Sequence, residues 1–300
     1  MPTDRLDVVV IGGGPAGLSA GLILARCRRE VLIVDSGRPR NAATGAVHGF
    51  LTRDGVPPAE LRRIAREQVA AYPSARVLDV AAIDAKRAVD GFEIDLDGGA
   101  TVRSRCLVLA FGVQDRFAIA GTHELYGRGI YPCPYCDAWE HRDAPMAAIG
   151  AEASGLALKL RRWSADTVWC SMGAQPPDDA RQRQLEERGI RTLASPIQRI
   201  ERIADGIRLT FADGSGLDRR AGFIGPDREP HPPFVAALGC QSEQDCLQCD
   251  RRGATCVDGL YIVGDLSRNA QFAIVAAAEG AMAAVAADEY LDQLDLGVAR

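Results

Sequence analysis

The chain contains 300 residues, 47% hydrophobic and 25% charged, the composition of an ordinary soluble globular protein of about two domains. A balance of 35 basic against 40 acidic residues leaves a net charge of −5, which argues against nucleic acid or another polyanion as partner. No apolar run reaches the roughly 18 residues of a membrane span; residues 272–287 come nearest, and Glu279 interrupts them.

The opening residues Met1-Pro2-Thr3-Asp4-Arg5 lack the layout of a secretory signal, so a cytoplasmic location without membrane association is expected. In that setting nine cysteines indicate redox or metal chemistry in preference to a disulfide scaffold. Residues 7–11 form a β-branched run, the pattern of a buried parallel strand. Gly12, Gly14 and Gly17 follow as G-x-G-x-x-G, with Pro15 and Ala16 inside the motif. Gly12 permits the tight turn, Gly14 lets a pyrophosphate approach the backbone, and Gly17 lets the helix pack on the strand. Residues 18–29 have a helical pattern, and the cations at its end suit a helix C-terminus. Residues 31–34 read as the second strand, and Asp35 stands where a carboxylate holds a ribose hydroxyl. Residues 92–96 and 101–103 alternate around Gly98-Gly99 as a small antiparallel hairpin. Residues 106–112 read as a buried return strand beside the cofactor, ending in Gly112.

Cys133-Pro134-Tyr135-Cys136-Asp137 is the second chemical signal. Two intervening residues let both sulfurs meet in a small ring, and a neighbouring charge or helix terminus lowers one thiol's pKa so that it attacks as a thiolate. Residues 146–149, 155–163 and 167–170 then read as strand, helix and strand of a second nucleotide-type unit. Its loop is Gly150-Ala151-Glu152-Ala153-Ser154-Gly155, or G-x-E-x-x-G. Glu152 replaces the middle glycine, and would meet a pyrophosphate with bulk and like charge. The next strand runs into Trp169-Cys170-Ser171-Met172-Gly173, with neither an acid for an NAD ribose nor arginines for an NADP 2′-phosphate. The expectation is a unit that keeps its fold and binds NAD(P)H poorly or not at all; an atypical working loop is the alternative.

Residues 225–233 are proline-rich and read as a crossing back to the first unit. Cys240, Cys246, Cys249 and Cys256 then follow as C-x5-C-x2-C-x6-C. A redox pair at Cys246 and Cys249, a four-thiolate zinc site and unassigned thiols all remain open, with the pair preferred to zinc and Cys240 read as a small apolar packer. Residues 259–265 form a strand running into Gly264-Asp265, and a helix is predicted from Gln271 to about residue 287. His141 is a candidate base or a surface residue; His123 and His231 carry no signal.

Gly12 to Gly17, the C-x-x-C-Asp segment, Gly239-Cys240 and Gly264-Asp265 with its alanine-rich helix resemble the low-molecular-weight thioredoxin reductase family and its relatives, the flavin-dependent dithiol oxidases. The segments Arg38-Pro39-Arg40-Asn41 and His48 to Gly55 are similar to the thioredoxin-reductase-like branch. The resemblance runs essentially end to end. It implies an α/β chain of two Rossmann-like three-layer domains. A discontinuous FAD domain takes residues 1–113 and 231–300, and an inserted NAD(P)-binding-like domain takes residues 114–230 with the C-x-x-C. It also implies a homodimer. Cys133 would attack the substrate, Cys136 would exchange electrons with the flavin, and Asp137 would shuttle a proton. Asp137 leans toward the reductases, since the gliotoxin-type oxidases carry histidine there. Asp265 would hold the flavin ribityl chain, and Asn41, His48, Val80, Gln271 and Phe272 would join the glycines and Asp35 around FAD.

The function expected is a FAD-dependent thiol–disulfide oxidoreductase acting on a thioredoxin-like protein or a small dithiol or disulfide, without NADPH. Oxygen would be its acceptor, or a ferredoxin-type protein its donor. The alternatives are an NADPH-dependent thioredoxin-disulfide reductase with an unusual loop, and a non-catalytic flavin-binding redox sensor.

Overall fold

The β-branched run forms the strand Leu6–Ile11, with Val31–Val34 parallel on one side and Thr101–Leu109 parallel on the other. In the computed structural model, which describes residues 6–240, 242–243, 246–267 and 270–298, these strands centre a seven-stranded sheet. Ala75–Leu78 extends one edge, Gly91–Leu96 and Ala82–Ala88 the other, and Leu260–Ile262 pairs with Thr101–Leu109 from the far end of the chain. The expected hairpin and return strand are thus one element. Residues 101–104 pair antiparallel with Gly91–Leu96 and residues 104–109 pair parallel with the first strand. The switch from alternating to continuous apolar residues marks that change of neighbours.

Contacts divide the chain into two units. One comprises Met1–Ala42, Gly49–Gln114 and Glu229–Arg300; the other comprises Ala43–His48 and Asp115–Arg228. The long segment of the second unit, Asp115–Arg228, lies between two segments of the first in the chain, and Ala43–His48 joins it.

In the first unit, helices Pro15–Arg26 and Ala273–Asp295 pack closely. A Cβ on Gly280 would lie 2.0 Å from the Ala16 carbonyl oxygen, so the crossing requires glycine there. Ala276, Ala283, Ala284 and Ala287 line the same buried face. The last helix continues past residue 287 because its acidic tail is paired. Arg29, beyond the end of the first helix, binds Asp288 at 2.6 Å, Asp292 at 2.5 Å and Asp295 at 3.2 Å.

The second unit carries a five-stranded parallel sheet ordered Arg191–Leu193, Thr167–Cys170, Met146–Ile149, Ala221–Ile224, Ile130–Tyr131. A three-stranded meander, Ile197–Ile203, Gly206–Phe211 and Gly216–Arg219, accompanies it. Trp169 and Phe223 are its largest fully buried side chains. Among the described residues, no helix is long and apolar enough to cross a membrane.

Candidate active site

The first glycine loop is built as its spacing requires. Gly12 has a φ of +115°, and a Cβ there would strike the Ala110 carbonyl oxygen at 2.4 Å. A Cβ on Gly17 would lie 1.9 Å from the Gly12 carbonyl oxygen, so the helix sits directly on the turn. Gly14 faces open space. Pro15 occupies the first helical position, and no side chain caps this terminus. Backbone amides and the helix dipole are therefore presented to an anion.

Asp35 is buried at the end of the second strand. It accepts from the Gly37 amide at 3.1 Å and from Arg62 Nη2 at 2.5 Å, with Arg66 at 3.7 Å. Gly264 and Asp265 form the 3-10 turn after Leu260–Ile262. Arg40 Nη1 donates to Asp265 Oδ2 at 2.9 Å and to Gln271 Oε1 at 2.7 Å, and Gln271 Nε2 donates to the Asp265 carbonyl at 3.2 Å. Phe272 is the extended residue that opens the last helix. Asn41 lies in the 3-10 helix Arg40–Ala43, Val80 packs half-buried on the sheet, and Gly112 adopts φ +72°. The cradle, the ribose acid and the Asp265 turn fit a flavin dinucleotide. His48, expected at the flavin, belongs to the second unit, where its Nε2 lies 3.6 Å from Glu140 Oε1.

Three residues of this site carry no motif. Glu279 is one: its Oε2 accepts from the Gly264 amide at 2.7 Å, and both its oxygens lie 3.2 Å from Ser267 Oγ. Its only signal was an acid interrupting an alanine-rich helix. Arg62 was unmarked on an amphipathic helix, Pro58–Ala70, and Arg40 was visible only as part of the Arg-Pro-Arg-Asn segment.

In the second unit Cys133 and Cys136 form a disulfide with their Cα atoms 5.3 Å apart. Cys133 precedes the single turn Pro134–Asp137 and its carbonyl accepts from the Cys136 and Asp137 amides, both at 3.3 Å. Pro134 fixes the turn that brings the sulfurs together. Both cysteines are half-buried. Burial pushes the Asp137 carboxyl up to about 7, the Glu140 charge adds to the rise, and His48 opposes it. Asp137 therefore titrates near neutral pH. Tyr135 and Trp139 flank the loop and are 56% and 62% exposed. The Lys159 ammonium sits 4.9 Å from the Tyr135 ring, and the Arg142 guanidinium 4.4 Å from the Trp139 ring.

The loop at residues 150–155 departs from the first one in shape as well as sequence. Gly150 repeats the positive φ, at +133°. A further turn over residues 151–153 follows, and the helix Ser154–Leu160 starts one position later than its counterpart at Pro15. A Cβ on Gly155 would meet nothing within 4 Å, whereas Gly17 is jammed against its turn. The place of Gly14 is taken by the exposed Glu152.

Cys240, Cys249 and Cys256 carry free thiols. Burial pushes Cys240 up to about 11 and raises Cys249 as well, which disfavours thiolate chemistry at both. The Cys246 side chain, half of the expected auxiliary pair, lies outside the described residues. Among the described residues no group of three or more His, Cys, Asp or Glu could hold a metal ion.

A dinucleotide cradle in one α/β unit and a Cys-x-x-Cys disulfide beside an acid of raised pKa in another are the features of a flavin-linked disulfide oxidoreductase. The family model for pyridine nucleotide-disulphide oxidoreductases matches residues 6–280, and the chain belongs to that family. It is 30% identical over 305 residues to a probable thioredoxin reductase of Arthroderma benhamiae, covering 89% of this chain and 76% of that one. An oxidoreductase from Agrobacterium tumefaciens superposes with a TM-score of 0.91 at 33% identity, over 96% of this chain and 98% of the other. A putative thioredoxin reductase from Bacillus anthracis superposes with a TM-score of 0.90 at 29% identity, over 97% and 99%. The protein is a thioredoxin reductase-like flavin oxidoreductase, and its family implies FAD as the dinucleotide of the first unit.

Proposed function

We propose that the chain is a FAD-dependent thiol–disulfide oxidoreductase that works without NADPH, passing electrons between the flavin and the Cys133–Cys136 pair and a dithiol or disulfide substrate. The observation that carries this reading is the contrast between the two glycine loops. The first keeps its turn, its open approach at Gly14 and its tight helix seat at Gly17. The second has lost the approach to Glu152 and the seat at Gly155. A carboxylate where a pyrophosphate must lie costs both space and like-charge repulsion.

Bound FAD supplies the two-electron acceptor or donor. The chain's own groups do the rest. Cys133 would form the mixed disulfide with substrate, Cys136 would be the thiol assigned to the flavin side of the exchange, and Asp137 would give or take the proton that accompanies thiolate formation. Dithiol oxidation with oxygen as acceptor requires no second nucleotide site. Disulfide reduction fed by a ferredoxin-type donor requires none either. A thioredoxin-like protein and a small dithiol both suit a disulfide flanked by exposed Tyr135 and Trp139.

The working form in this proposal is a homodimer in the cytoplasm. Exposed Ile274, Met282 and Val285 recur along one side of the last helix and support a self-association surface. Exposed Cys27 and Cys256 thiols suit a reducing compartment.

The Cys136→Ser variant tests the catalytic assignment. It should retain FAD, seen as an unchanged flavin spectrum, and lose flavin bleaching by dithiol. Dithiol turnover at the parent rate in this variant would overturn the assignment.

A further inference from the structure

The second unit holds a cavity of about 500 Å³ that neither the disulfide chemistry nor the nucleotide loops use. Its walls include Arg128, Gly129, Tyr131, His141, Arg202 and Arg220, and no Asp or Glu is among the lining residues. Three arginines along one cavity without a lining carboxylate stand out in a chain of net charge −5.

The cavity is separate from the dinucleotide position. Gly129 precedes the strand Ile130–Tyr131 and Arg220 precedes Ala221–Ile224, so it opens at the N-terminal ends of these parallel strands. The loop from Gly150 follows the C-terminal end of Met146–Ile149, which runs parallel to Ala221–Ile224. Open α/β sheets take nucleotides at the C-terminal ends.

Its polar groups are held in place. Arg202 donates to the Arg128 carbonyl oxygen, and Arg220 pairs with Asp205, whose side chain is 87% exposed. The Tyr131 and His141 rings lie 4.9 Å apart. Burial raises the pKa of the Tyr131 hydroxyl, the Asp137 charge adds to the rise, and the Arg202 and Arg220 charges oppose it. His141 Nδ1 is buried and has no hydrogen-bond partner. Burial and the Arg220 charge lower the pKa of that imidazole, and the Glu140 charge opposes them. A buried nitrogen without a partner is uncommon and marks a place where a bonding atom belongs. The volume falls in the range of small-molecule sites, and planar guanidiniums fit oxyanions bidentately.

We propose that this cavity binds a small molecule bearing two or more oxyanionic charges, held by Arg128, Arg202 and Arg220 and by a hydrogen bond at His141 Nδ1. Isothermal titration calorimetry on the FAD-loaded full chain tests this without recourse to turnover, so it stands or falls independently of the proposed reaction. Pyrophosphate, citrate and NADPH are titrated separately at low and high salt. The expected result is saturable binding of pyrophosphate or citrate that weakens with salt; which of the two binds more tightly identifies phosphate or carboxylate as the ligand chemistry. The Arg202→Gln/Arg220→Gln variant should weaken that binding about tenfold or more, with an unfolding temperature near the parent's. Should this variant fail to fold, the His141 Nδ1 resonance of ¹⁵N-labelled parent protein gives the second readout, and should shift on addition of the ligand. Absence of saturable binding by both anions would overturn the proposal. So would equal binding by the folded double variant, an unmoved His141 resonance, or a response to NADPH alone.

Discussion

The indole N–H of Trp169 donates to the carbonyl oxygen of Gly150 at 2.9 Å. The Gly150 amide in turn donates to the Cys170 carbonyl at 3.0 Å. Together these bonds pin the start of the second loop to the neighbouring strand, and the chain spends residues 151–153 in an extra turn before its helix begins. The first loop spends two, Gly13 and Gly14, without such a turn. The second loop is thus a settled structure of its own, with Glu152 exposed at its tip.

Removing that carboxylate should reveal what it blocks. Glu152→Gly removes the like charge and the bulk at the pyrophosphate position. The parent is expected to show no saturable NADPH binding by fluorescence quenching, and the variant a measurable one. Identical silence in both would shift the blame from Glu152 to the late start of the helix Ser154–Leu160.

Asp137 gives a pH signature. Burial raises its pKa in the folded protein to about 7, whereas an exposed aspartate ionises near 3.8. The folded state therefore holds the proton longer. Its stability advantage is fully present below about pH 4 and is lost as pH rises toward 7, where Asp137 must ionise in place. Asp137→Asn should match the parent's unfolding temperature at pH 4 or below and exceed it at pH 8. The rate of dithiol-dependent flavin reduction should inflect near pH 7 in the parent and lose that inflection in Asp137→Asn. A parent rate without an inflection there would remove Asp137 from the proton path.

Glu279 supports the flavin turn from the last helix. Replacing it with alanine strips the Gly264 amide and the Ser267 hydroxyl of a side-chain acceptor. Bonds to a charged group are worth about 1.5–3 kcal/mol each at most. Glu279→Ala should lower the unfolding temperature and release FAD on gel filtration, with Glu279→Gln intermediate. Full FAD occupancy in Glu279→Ala would show that the Asp265 turn holds without it.

This residue also shows where sequence legibility ended. The glycine loop and the C-x-x-C were readable because each is a local device set by residues within one or two turns of one another, and Asp35 because it ends the strand that the loop's helix leads into. Glu279 was not, because its partner Gly264 is brought to it by the fold and an isolated acid in a helix has no diagnostic spacing. The same holds for Arg62 on Asp35 and for Arg29, whose partners Asp288, Asp292 and Asp295 stand some 260 residues away. Those distant pairs are what carried the last helix beyond its expected end. The strand Thr101–Leu109 read as two pieces because its two halves meet different neighbours.

Gly280→Ala sets helix propensity against packing. Alanine is favoured over glycine in a helix by about 1 kcal/mol. At this position, however, the new Cβ would fall 2.0 Å from a backbone oxygen that no side-chain rotation can relieve. Overpacking of this kind costs about 1–3 kcal/mol, so the unfolding temperature should fall. A rise would mean that the two helices separate at little cost.

The central claim is that the flavin exchanges electrons with a dithiol or disulfide and not with NADPH. Anaerobic titration of the purified FAD-loaded protein, followed by flavin absorbance, tests it most directly. A small dithiol should bleach the flavin, with peroxide formed once air is admitted if oxygen is the acceptor, while stoichiometric NADPH leaves the spectrum unchanged. Rapid bleaching by stoichiometric NADPH would contradict the account and restore a nucleotide-driven disulfide reductase.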